Sequence, residues 1–106
     1  MKLPDFSDSA VDNAIECPVC GGNNLHHANV SVFDRVEDEV KTTVTTVAES
    51  GEVTVRTEDS AESLNPSRRR HGLLITFWCE SNCEVPSLAV YQHKGSTYME
   101  WGEGGR

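Results

Sequence analysis

Four cysteines, set in two close pairs far apart in the chain, constrain this sequence more than any other feature. One pair lies in Cys17-Pro18-Val19-Cys20-Gly21-Gly22 and the other in Cys79-Glu80-Ser81-Asn82-Cys83. Two thiolates separated by two or three residues point at one ion only if the backbone between them turns sharply. Residues suited to such turns are present: Pro18 sets φ at the first turning position, Gly21 and Gly22 tolerate positive φ, and Asn82 is a residue type that readily adopts a left-handed conformation. A turn of this kind also aims backbone N–H groups at the sulfurs. Four thiolates around one Zn²⁺ carry a net charge of about −2 and need those donors. The pattern predicts a closed structural site with one Zn²⁺ held by Cys17, Cys20, Cys79 and Cys83, which closes the chain between Cys20 and Cys79 into a loop.

Disulfide and redox uses compete with this reading. Disulfides suit an exported domain, but the opening Met-Lys-Leu-Pro-Asp-Phe-Ser-Asp has no apolar h-region and no cleavage site, so reduced thiols are expected. A redox pair needs Cys17 at the start of a helix after a buried strand. Asn13-Ala14-Ile15-Glu16 is too short and polar for that strand, and Gly21-Gly22-Asn23-Asn24 is a poor helix start.

With 106 residues, 37% of them apolar, the chain reads as one domain with a small core that gains from a metal staple. No run approaches a membrane span, and a soluble cytoplasmic protein is expected. The formal net charge of −8 is concentrated in residues 34–62, where three bases face nine acids. An acidic chain is a poor non-specific binder of nucleic acid, because affinity there comes from cations displacing counterions from phosphates.

Along the chain, residues 1–16 are polar and acidic. They are compatible with a short helix over 9–14, capped by Asp8 or Ser9, or with disorder up to Asp12. Residues 25–33 read as a strand with 28, 30 and 32 on one apolar face and 27, 29 and 31 opposite. Val40 to Val47 and Glu52 to Thr57, joined by Ala48-Glu49-Ser50-Gly51, read as a hairpin that is either an exposed arm or an addition to the edge of the main sheet. Residues 58–67 lack periodicity and read as a linker or surface loop. Residues 72–79 are apolar on both faces, as a central strand should be, and deliver Cys79 to the metal. Residues 87–93 and 96–101 form a second hairpin around Lys94-Gly95, followed by a flexible tail over 102–106.

The expected fold is therefore mainly β: a small antiparallel sheet carrying a long acidic hairpin insertion at about 35–71, within a domain spanning 17–101. The knuckle of the form Cys-Pro-x-Cys-Gly, a strand, a return strand ending in a second cysteine pair, and a further strand resemble the zinc-ribbon fold. Cys17-Pro18-Val19-Cys20-Gly21-Gly22, Val32-Phe33-Asp34-Arg35, Arg69-Arg70-His71-Gly72, Phe77-Trp78-Cys79-Glu80 and Gln92-His93-Lys94-Gly95 together resemble a group of small uncharacterised zinc-ribbon proteins of actinobacteria and their phages. This resemblance implies an architecture and a bacterial or phage-infected cytoplasm, but no activity. The three-residue gap between Cys79 and Cys83 departs from the usual two.

Three further groups bear on function. Arg68, Arg69, Arg70 and His71 form a basic cluster that either grips phosphate or neutralises the acidic insertion. His26, His27 and His93 are potential ligands or catalytic groups, but four cysteines already complete a tetrahedral shell, so ordinary strand and turn roles are expected. The same closed shell leaves no water to activate and argues against an enzyme. Trp78, Tyr91, Tyr98 and Trp101 form either a platform for bases or a half-buried cross-strand cluster. The function expected is a non-enzymatic protein-interaction or regulatory module for a basic partner, with nucleic-acid binding through Arg68–His71 as the alternative.

Overall fold

A computed structural model describes residues 14–102. Both alternatives for residues 9–14 bear on positions outside this range, apart from Ala14, which is irregular. The fold is mainly β: one six-stranded antiparallel sheet built from β1 (Leu25–Asp34), β2 (Lys41–Val47), β3 (Val53–Asp59), β4 (Gly72–Cys79), β5 (Ser87–His93) and β6 (Ser96–Gly102). The strand order is β3-β2-β1-β4-β5-β6. The apolar β4 lies at the centre beside β1, as its composition requires. Among the described residues no helix is long and apolar enough to cross a membrane.

The acidic β2–β3 hairpin is not an arm. β2 pairs with β1 from Val30↔Val47 to Asp34↔Thr43, so the hairpin continues the sheet outward and takes over the edge that β1 would otherwise expose. The two tight hairpins are set by left-handed residues. Gly51 has φ 93°, and the two-residue turn between His93 and Ser96 places both Lys94 (φ 49°) and Gly95 (φ 84°) in the positive region, as a type I′ turn demands.

The faces of β1 differ from the alternation expected. A bulge at Ala28 and Asn29 sets two residues against the single Thr76, since His27 pairs with Phe77 and Val30 with Ile75. The bulge is held by the Asn29 N–H donating to Thr76 Oγ1 at 2.9 Å, while Asn29 Oδ1 accepts from the Glu49 N–H at 3.1 Å. His27 therefore shares a face with Val30 and Val32, and Ala28 does not. The buried side chain is Phe33, on the opposite face, while Val32 is exposed.

That opposite face carries the small core of Phe33, Val44, Leu74 and Ala89, with Tyr91 packed against it. Its cover comes from the segment expected to be a surface loop. A 3₁₀ turn (Ser60–Glu62) and the following residues fold back over the sheet, so that Leu64 and Pro66 share a depression with Leu74 and Ala89. Ser67 is buried, and its hydroxyl donates to the Gln92 carbonyl at 2.7 Å. Asn65 stiffens the segment, accepting from the Ser67 N–H (3.0 Å) and donating to the Arg70 carbonyl (2.8 Å).

Gly72 permits this closure. A Cβ at that position would lie 2.1 Å from Asn65 Oδ1 and 2.8 Å from Pro66 Cδ. Neither neighbour yields easily, since one is hydrogen-bonded and the other is a ring. Gly72→Ala is expected to cost about 1–3 kcal/mol by overpacking, measured as a lower urea midpoint at unchanged slope. A midpoint equal to wild type would mean that the segment over Gly72 is not packed there.

The other face is different in kind. Its pairing register lines up two rows that run across all six strands. One row is Val53, Val47, Val30, Ile75, Leu88 and Trp101. The next is Val55, Thr45, Val32, Leu73, Val90 and Met99. Leu88 is buried where the Phe77 and Trp101 rings meet edge to face at 5.6 Å.

Candidate metal centre

The four cysteines come together at one end of the sheet. β4 ends at Cys79, opposite Leu25 at the start of β1, and the chain leading into β1 carries the first knuckle. The Glu80 N–H donates to the Asn24 carbonyl at 3.2 Å, tying the second knuckle to the first. One Sγ from each of Cys17, Cys20, Cys79 and Cys83 lies within 4.8 Å of all the others, a group that could hold a metal ion. Cys17 and Cys79 are buried, Cys83 is half-buried and Cys20 is exposed.

The local chain folds as metal knuckles do. The Cys17 N–H donates to the Gly22 carbonyl and the Gly21 N–H to the Cys17 carbonyl (2.7 and 2.8 Å), with Gly21 at φ 78°. Gly21 supplies the positive φ; Gly22 does not, and a Cβ at that position would lie 3.4 Å from Cys20 Sγ. In the second knuckle the Asn82 N–H donates to the Cys79 carbonyl at 2.8 Å, and Asn82 is left-handed at φ 63°. That residue absorbs the extra position between Cys79 and Cys83, so the longer gap still brings the fourth sulfur into the group.

Backbone N–H groups of Val19, Gly22 and Ser81 each lie 3.4 Å from a sulfur, those of Cys17, Cys20 and Cys79 respectively. Such donors stabilise negative sulfur, and the Ser81 N–H is the main cause, working against burial, that brings the Cys79 thiol down to about 7. Burial first, and then the neighbouring sulfurs, pushes Cys83 up to about 12. The Cys79 thiolate thus forms readily while Cys83 holds its proton, and a cation between the sulfurs would favour the ionised form of Cys83 as well. The donor set fits such an ion. A tetrahedral centre with metal–sulfur bonds of about 2.3 Å separates its sulfurs by about 3.8 Å, and Cys20 Sγ and Cys79 Sγ are 3.7 Å apart.

No histidine joins the cluster. His26 stacks on Trp78 with centroids 4.0 Å apart, and its Nε2 lies 2.6 Å from Glu80 Oε2. The Trp78 indole donates to Glu49 at 2.9 Å, which pins the β2–β3 loop to the cysteine end of the sheet. This brace of His26, Trp78, Glu49 and Glu80 was not visible in the sequence, because it needs the pairing of His26 with Trp78 across two strands. His71 Nδ1 accepts from the Arg35 N–H at 3.0 Å and lies 3.1 Å from Asp34, while His93 sits beside Tyr98.

The basic cluster is largely engaged within the chain. Arg69 donates to both carboxylate oxygens of Asp38, at 2.8 and 2.6 Å, and holds that carboxyl below the usual carboxylate range. Arg70 lies 3.6 Å from Glu37, and Arg35 donates to the Arg68 carbonyl. Arg69, Arg70 and Lys94 line a depression of about 430 Å³, but Glu37 lines it too. Arg69 and Arg70 are thus paired with carboxylates of the acidic segment between β1 and β2. The four aromatics do not share one platform: Trp101 belongs to the apolar-row face, whereas Trp78, Tyr91 and Tyr98 fall on the other. Tyr91 and Tyr98 stack across β5 and β6 at 5.7 Å.

No family model, no curated protein and no solved structure matches this chain.

Proposed function

We propose that this protein is a non-enzymatic zinc ribbon, in which a single Zn²⁺ on Cys17, Cys20, Cys79 and Cys83 clasps the sheet so that its surfaces can bind a protein partner. The supporting observation is the convergence of four sulfurs within 4.8 Å of one another. An all-thiolate tetrahedral shell suits Zn²⁺ among the common divalent ions, and it leaves no position for a water to be activated. Residues 17–34 and 72–101 form the ribbon, and 35–71 is the insertion that widens it. Recognition then falls to the sheet and to the acidic insertion, whose excess of carboxylates suits a basic partner surface better than a phosphate backbone. The setting we infer is the cytoplasm of a bacterium or of a phage-infected cell.

Loading with Co²⁺ in place of Zn²⁺ tests the shell. The expected spectrum has thiolate-to-metal charge-transfer bands and the ligand-field bands of a tetrahedral ion, both indifferent to added azide. Bands that shift with azide would show an open, solvent-reached position and would reject the closed clasp.

A further inference from the structure

We propose that His71 is a proton-operated latch at the root of the insertion: neutral, its ring holds the backbone of Arg35, and protonated, it lets that backbone go and takes the carboxylate of Asp34. The proposal goes beyond the zinc clasp and does not depend on which ion the cysteines hold.

His71 stands where the insertion rejoins the sheet, one position before β4. The β1–β4 register ends at Phe33↔Gly72, and the next residues, Asp34 and His71, come side by side. The main chain of His71 is fixed, because its carbonyl accepts from the Gln92 N–H at 3.1 Å. Its ring lies between two groups with opposite demands on one atom. Nδ1 is 3.0 Å from the Arg35 backbone nitrogen, which can only donate, and 3.1 Å from Asp34 Oδ1, which as a carboxylate can only accept.

The Arg35 N–H is aimed at Nδ1, and this assigns the lone pair to Nδ1 and the proton of the neutral ring to Nε2. In that state Asp34 faces a nitrogen with no proton to give. The one basic site left on the ring is the same Nδ1, so a second proton necessarily breaks the bond from Arg35. It sets donor against donor there and creates a charge-assisted bond to Asp34 instead. Histidine is the side chain that ordinarily changes charge between about pH 5 and 8. Solvent reaches the pair, the His71 side chain being 40% exposed and that of Asp34 71%.

The neighbouring charges leave Asp34 as the carboxylate that meets the ring. In the segment before β4, Arg69 is held by Glu37 and Asp38, Arg70 lies against Glu37, and Arg68 lines the depression beside Tyr91 and Glu100. Between β1 and β2, Glu39 turns its carboxylate to the Val40 N–H. Lys94 of the β5–β6 turn lines the depression beyond Gln92. The strand neighbours Thr43, opposite Asp34, and Gln92 carry no charge. What the latch holds is a staple. The Arg35 guanidinium donates to the carbonyls of Glu39 and Arg68, at 2.7 Å each, and so ties the start of the insertion to its end. Release of the Arg35 backbone shifts that staple, and with it the acidic segment carrying Glu37 and Asp38.

Nuclear magnetic resonance of the full Zn²⁺-loaded chain between about pH 8 and pH 5 tests this. At the upper end the His71 ring is expected to carry its proton on Nε2 and the Arg35 amide proton to lie downfield. As the ring takes its second proton, the Arg35 amide should move upfield and the Asp34 carboxyl carbon should move over the same interval. His71→Asn places an oxygen near the position of Nδ1 that accepts the Arg35 N–H and does not titrate, so there the amide is expected to stay downfield throughout. Both proteins carry the same four cysteines, so a response caused by metal loss appears in both and is separated from the latch. An Arg35 amide that ignores the titration of the wild-type ring, or that moves equally in His71→Asn, overturns the proposal. So does a stationary Asp34 carbon, or a neutral ring with its proton on Nδ1, and neither of these readings needs the variant to fold.

Discussion

Stripping the metal-loaded protein with a strong chelator is expected to unfold it cooperatively, with loss of the near-UV signal of Trp78 and Trp101 and of the cold and hot baselines of a folded domain. The proposed clasp would join Cys20 to Cys79 across 59 positions of chain. A cross-link closing a loop of that size restricts the unfolded ensemble by about 4 kcal/mol, a large part of the stability of a domain this small. Removal also leaves four sulfurs crowded within 4.8 Å with no cation between them. Cys79→Ser should reproduce the loss, because Cys79 is buried at the end of the central strand. Acid should act in the same direction, since protons compete with the ion for sulfur, and metal release is expected to increase as pH falls. A metal-free protein with an intact near-UV spectrum and a melting temperature within a few degrees of the loaded form would show that the clasp is not structural.

The second large effect is expected from Phe33→Ala. Phe33 is only 3% exposed and packs with Val44, Leu74 and Ala89, the cluster around which β1, β2, β4 and β5 meet. Removing a buried phenylalanine costs about 3–5 kcal/mol, the sum of lost burial and the cavity left behind. For a domain of this size that corresponds to a fall in melting temperature of at least ~12 °C. The neighbouring Val32 is the internal comparison: it is exposed, so truncation there removes far less contact within the chain. Thermal melts of the two variants at equal metal loading decide the matter. A Phe33→Ala protein melting with wild type would mean that the core is not where the register places it.

Much of the architecture was legible in the residues. The strands after the first knuckle follow from β-rich composition and alternation, and their turns from Gly51 and from Lys94-Gly95. The grouping of the four cysteines was legible because the turns that carry them are local: proline, glycine and asparagine at fixed offsets set the turn whatever surrounds it. The faces of β1 were not legible. The one-residue phase shift at Ala28 and Asn29 is held by Thr76 and Glu49, far away in sequence, and such a shift moves every later side chain to the other face. The cover over the core was also hidden. Residues 63–71 have no periodicity, yet Ser67 is buried, because a segment crossing a sheet is held by individual contacts such as Ser67 with Gln92 rather than by a repeating stripe.

The pairs around Cys17 and Cys79 thus determined, from local chain chemistry alone, that two knuckles would form and which atoms they would present. That the knuckles meet depends on β1 and β4 pairing in a register that brings Leu25 opposite Cys79, which only the tertiary structure decided. The same is true of the apolar rows. The valines of β2 and β3 and Met99 of β6 look like ordinary exposed residues in the sequence. Six strands in one register turn them into a continuous surface, because a sheet adds up across strands what a sequence lists along them.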